Sequence, residues 1–119
     1  MTTAHGPLVK LIMREVGALG DHVLIFKRFS GNLWTRDGKL VQSSVPGQCD
    51  LWGVLTVDAP IHFEIEVKVG KDRLNKHQVA WQDTCRRMGI PHHVAHAASS
   101  DMDELQRCAR GVVAWLGGL

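Results

Sequence analysis

Ile61-His62-Phe63-Glu64-Ile65-Glu66-Val67-Lys68-Val69 is the stretch that decides the fold. Apolar Ile61, Phe63, Ile65, Val67 and Val69 alternate strictly with His62, Glu64, Glu66 and Lys68. A period of two is the repeat of a β-strand, whose successive side chains leave opposite faces. One face of this strand therefore belongs to a core, and the other carries two carboxylates and an amine in a row. Taken alone, such a row fits a solvent-facing polar stripe, with Glu64 a solvated neighbour. Its meaning depends on what the rest of the chain brings to it.

Upstream, Leu51 to Val57 is a short apolar run between a Pro46-Gly47 turn, within Val45 to Asp50, and an Asp58-Ala59-Pro60 turn. These features predict a buried strand that doubles back into the one above. If the two are antiparallel neighbours, Asp50, just ahead of the first, approaches the Glu66 end of the row. Further upstream, Val23 to Arg28 and Leu33 to Thr35 read as strands or a loose hairpin, with Gly31-Asn32 between them and Asp37-Gly38 after them. Pro7 to Leu19 sets Leu8, Leu11, Ile12 and Val16 at helical spacing.

Downstream, Asn75 to Met88 carries Val79, Trp81 and Met88 among polar residues, with Gly89 placed as a helix stop. Pro91 to His96 fits a further short strand. Ser100 or Asp101 can cap a last helix with Met102, Leu105, Cys108, Val112 and Leu116 on its apolar stripe. Helix, strands, helix, strand, helix predicts an α/β domain, a single mixed β-sheet flanked by helices. With 119 residues, 45% hydrophobic and 22% charged, composition is that of an ordinary folded domain, and residues 1–119 are expected to form one.

No apolar run approaches the roughly 18 residues of a membrane span, and the N-terminus lacks the pattern of an export signal. Cys49, Cys85 and Cys108 are widely spaced with no CxxC pair, so they read as free thiols in a reducing cytoplasm. A net charge of +2 permits a nucleic-acid partner without demanding one.

The chemistry on offer is that of hard cations. Mg²⁺ or Mn²⁺ favours carboxylate, carbonyl and water oxygens, and commonly takes one or two protein carboxylates together with a substrate phosphate. Asp50 and Glu66 suit that role. Lys68 can orient water and counter the charge that grows on a phosphate under attack.

The order Gly47-Gln48-Cys49-Asp50-Leu51, Phe63-Glu64-Ile65-Glu66-Val67-Lys68, Arg73-Leu74-Asn75-Lys76-His77-Gln78 resembles the VRR-NUC (virus-type replication-repair nuclease) branch of the PD-(D/E)xK nucleases. That family runs G-x-P-D-L, I-E-V-K and R-L-S-x-x-Q, then an aromatic-bearing helix and a glycine, places filled here by Trp81 and Gly89. Cys49 stands where the family has proline, and Asn75 where it has serine.

The resemblance implies a restriction-endonuclease-like core. It implies that Glu15, Asp50, Glu66 and the backbone carbonyl of Val67 ligate Mg²⁺ or Mn²⁺, and that Lys68 and Gln78 sit at the scissile phosphate. It further implies a stand-alone enzyme of phage or bacterial type, a homodimer cutting branched DNA such as four-way (Holliday) junctions, as in DNA repair.

Lys71, Arg73 and Lys76 follow the catalytic strand closely enough to contact phosphates, whereas Arg86 and Arg87 fit a solvated helix face equally well. His92, His93 and His96 lack the companion ligands of a zinc site. The four tryptophans suit core or dimer packing more than base stacking. Two other readings stand beside the first: a DNA-binding module of the same fold without turnover, which intact Asp50, Glu66 and Lys68 argue against, and a nuclease directed at flaps or ends.

Overall fold

The computed structural model describes residues 4–28, 32–42 and 46–119. Gly31 and Val45, where the sequence places turns, lie outside them.

Pro60–Val69 forms a ten-residue strand, β5 in chain order, at the centre of the fold. Phe63, Ile65, Val67 and Val69 are buried because helices cover them: α1 (His5–Gly17), through Leu8, Val9, Ile12 and Val16, and α3 (Met102–Gly117), through Leu105, Cys108, Ala109, Val112 and Leu116. Both helices bury residues at three- and four-residue spacing, so each presents one stripe to the sheet. Each fully buried Leu or Ile in this layer contributes roughly 1.5–3 kcal/mol. Phe63 meets Trp115 of α3 edge-on, and His93 stacks on the same indole.

The main sheet has the order β1-β4-β5-β6, formed by Val23–Lys27, Leu51–Thr56, β5 and His92–Ala97. β1 with β4 and β4 with β5 are antiparallel, and β5 with β6 is parallel. The parallel pair needs a crossover, and α2 (Lys76–Met88) supplies it. This is the mixed α/β sheet expected from the sequence. Gly53 of β4 lies under the Phe63 ring, where a Cβ would fall 2.4 Å from Phe63 Cζ and 2.1 Å from the Leu24 carbonyl.

Two details depart from the sequence reading. β1 pairs with β4, and the next run, β2 (Asn32–Trp34), pairs instead with β3 (Leu40–Gln42) as a separate ribbon around Asp37-Gly38. At α3, Asp101 takes the N-cap position without a side-chain hydrogen bond, while Glu104 reaches back to the Ala98 N–H.

Candidate active site

The alternation of β5 sends Glu64, Glu66 and Lys68 to the face opposite Phe63, Ile65 and Val67. That face is covered too. Glu64 is completely buried, and Glu66 and Lys68 are 2% and 7% exposed. Glu64 is thus no solvated neighbour. Arg28 grips it with both terminal nitrogens, Trp81 Nε1 donates to Oε1 at 3.1 Å, and His62 Nε2 lies 2.6 Å from Oε2. A carboxylate shut away from water needs such partners.

The β4–β5 register ends at Leu51↔Ile65, so Asp50 falls beside the next residues of β5. The Val67 N–H donates to Asp50 Oδ2 at 3.0 Å. N–H and C=O of one strand residue leave by the same edge, so the Val67 carbonyl faces Asp50's side as well, beyond the last β4 pairing. Arg28 N–H fixes the turn from the other flank by donating to the Asp50 carbonyl at 2.8 Å. Gly47, at φ 86°, brings this loop against α2: a Cβ there would lie 2.2 Å from the His77 carbonyl oxygen. Gly47 therefore seats the Asp50 loop on the first turn of α2.

The Glu66 carboxyl lies within hydrogen-bonding reach of Asp50. Burial first, then the hydrogen bond and charge of Asp50, push its pKa well above the usual carboxylate range, with Lys68 opposing. Burial disfavours the charged form of Glu66, and a neighbouring carboxyl adds to that. Glu66 Oε2 is buried with no hydrogen-bond partner among the described residues. Lys68 Nζ lies 3.6 Å from Asp72 Oδ2, so the loop after β5 supplies its counter-ion.

A sequence model of the VRR-NUC domain matches residues 8–99. The chain belongs to the VRR-NUC family. A solved structure titled "VRR_NUC domain" superposes with a TM-score of 0.61 at 20% identity, covering 95% of this chain and 97% of that one, and so shares the fold. Comparison with curated proteins gives no match.

A VRR-NUC domain is a nuclease domain of the PD-(D/E)xK type, in a family that generally uses divalent metal ions. The donor set here fits such an ion: two adjoining carboxylates, one with a buried oxygen lacking a partner. Among the described residues no three His, Cys, Asp or Glu side chains form a ready-made metal cage. That applies also to His92, His93 and His96.

Asp50, Glu66, Val67 and Lys68 are brought together, but Glu15 is not. The α1 side chain that touches Asp50 is His5, with Nε2 3.3 Å from Oδ2. Glu15 lies ten residues further on, about 15 Å along the axis at the 1.5 Å rise of a helix. Gln78 lies at the start of α2 with its Oε1 accepting from the Asn75 N–H, while Asn75 Oδ1 accepts from the Gln78 N–H. This is a capping box, and asparagine serves in it as serine would.

Lys71, Arg73 and Lys76 are exposed around the loop that follows β5. Arg73 also donates to the carbonyls of Gly70 and Asp72. Arg86 and Arg87 pair with Asp83 on exposed helix surface. Sequence reading missed His5 and Arg28. A histidine three residues ahead of an apolar helix repeat, and an arginine ending a strand, give no local sign of the carboxylates they meet.

No helix among the described residues is long and apolar enough to cross a membrane.

Proposed function

We propose that this chain is a Mg²⁺- or Mn²⁺-dependent DNA endonuclease in which Asp50, Glu66 and the Val67 carbonyl hold the metal and Lys68 serves the scissile phosphate. The observation that carries the reading is the half-buried Asp50 beside buried Glu66, one of whose oxygens has no partner among the described residues, next to a nearly buried lysine.

When bound, a divalent cation supplies concentrated positive charge to the phosphate oxygens and acidifies water. The protein's part follows from its own groups. Asp50 and Glu66 would hold it through their carboxylates, and Val67 N–H keeps Asp50 oriented. Lys68, released from Asp72, donates to a phosphate oxygen and aligns the attacking water. The water oxygen bonds to phosphorus as the ester P–O bond breaks; the attacking water loses a proton to solvent and the leaving oxygen takes one from a solvent water.

Gln78 borders the phosphate from the first turn of α2, whose N-terminal end favours negative charge. Lys71, Arg73 and Lys76 contact the flanking backbone.

Residues 1–119 act as one such domain in a reducing cytoplasm, which suits its three free thiols. The further elements of the proposal, a homodimer and branched DNA such as four-way junctions, are supported by likeness to stand-alone members. A two-fold pair offers one site to each strand to be cut.

The test is cleavage of labelled four-way junction, flap and linear duplex DNA with Mg²⁺ or Mn²⁺, alongside chelator controls. Junction cutting is expected. Preference for flaps or ends would keep the chemistry and replace the substrate, and binding without cutting of any substrate would leave a DNA-binding module.

A further inference from the structure

We infer that His5 is a nitrogen ligand of the metal at the Asp50–Glu66 site, and that it turns the site's preference from Mg²⁺ toward Mn²⁺. The inference rests on the proposed role of those two carboxylates. The family match begins at residue 8, so it assigns His5 nothing.

His5 is the first residue of α1, and its imidazole is 27% exposed. Its Nε2 stands 3.3 Å from Asp50 Oδ2. Adjacent donors around an octahedral ion with bonds near 2.1 Å are separated by about 3 Å, so the two atoms already have the spacing of neighbouring ligands. Asp50 Oδ2 accepts from the Val67 N–H and does not depend on His5 for a hydrogen-bond partner.

α1 approaches from the helical layer, a direction that neither β4 nor β5 supplies. The third donor is not fixed in a preset cage. A partly exposed side chain at a helix start has the freedom to complete the set when the ion arrives.

The chemical consequence concerns selectivity. Mg²⁺ takes oxygen ligands and gives up water reluctantly, whereas imidazole suits first-row transition ions. Two carboxylates and a carbonyl alone would serve either metal. An added imidazole favours Mn²⁺.

The test measures binding rather than turnover. Metal-free protein is titrated with MnCl₂ and with MgCl₂ by calorimetry, and the Mn²⁺ complex is examined by pulsed EPR for ¹⁴N modulation. Wild type, His5→Ala, His5→Gln and Asp50→Ala are compared. Expected are ¹⁴N modulation in wild type, its loss in both His5 variants, and a fall in their Mn²⁺ affinity of at least about tenfold, the scale on which even groups behind a ligand act. Mg²⁺ affinity should stay nearly constant.

His5→Gln retains hydrogen bonding to Asp50 without an imidazole, so wild-type Mn²⁺ affinity in that variant overturns the inference. Absence of ¹⁴N modulation in wild type, or its persistence in His5→Ala, overturns it too. Failure of the underlying site reading looks different: Asp50→Ala would then bind Mn²⁺ as tightly as wild type, which sinks both.

Discussion

Arg28 and Glu64 form a two-pronged pair inside the protein, Nη1 to Oε1 at 2.6 Å and Nη2 to Oε2 at 3.0 Å. The pair ties β1 to β5 across β4, and Arg28 also donates to the Cys49 carbonyl at 3.1 Å, next to Asp50. It thus braces the loop that carries the acidic site. Arg28→Ala would leave a fully buried carboxylate without its cation, a loss that costs about 3–5 kcal/mol. Urea denaturation should show that drop. Glu64→Gln together with Arg28→Met should cost less than Arg28→Ala alone, since no uncompensated charge then remains inside.

Glu66 makes the metal-free protein less stable as pH rises. Burial and Asp50 raise its folded pKa, while the unfolded chain titrates near the ordinary carboxylate value. Between those two values the unfolded state binds fewer protons, so stability is full below the unfolded pKa and declines toward the folded one. Glu66→Gln should therefore raise the thermal midpoint of chelated protein at pH 7 and flatten its pH dependence above pH 5. Added metal should stabilise wild type and not the variant. Thermal scans across pH, with and without chelator, check this.

Gly47 sets the distance between the Asp50 loop and α2. Its positive φ and the 2.2 Å gap from an added Cβ to the His77 carbonyl oxygen leave alanine no place. Gly47→Ala should cost about 1–3 kcal/mol in stability. It should also lower cleavage beyond what that loss explains, because the loop and Gln78 are displaced together. Kinetics at a temperature where both proteins remain folded separates the two effects.

How far the sequence revealed this arrangement depended on range. The β5 stripe was legible because period-two alternation is local, and so were Asp50 and Lys68, which the strand and its preceding turn bring together. Burial of Glu64 was not legible, because a polar stripe looks the same whether it faces water or a helix. What decides is Arg28 and Trp81, 36 and 17 residues away. The family resemblance implies Glu15 as a ligand on α1, but the place of any residue along that helix depends on how α1 docks, which only tertiary packing fixes. His5 is the α1 side chain that meets Asp50.

Asn75 takes the role for which its family usually has serine. Asn75→Ser should leave the thermal midpoint nearly unchanged, whereas Asn75→Ala should cost about 1 kcal/mol through the lost cap of α2. Helix content and thermal midpoint of the two variants give the comparison.

Asp50, Glu66 and Lys68 are proposed to form a phosphodiester-cleaving site. Single-turnover cleavage of a labelled four-way junction in Mn²⁺ tests it most directly, comparing wild type with Asp50→Asn and Lys68→Met while DNA binding is measured in parallel. Cutting by wild type is expected, with at least about a hundredfold slower cutting by each variant and binding retained. Wild-type rates in either variant would contradict it.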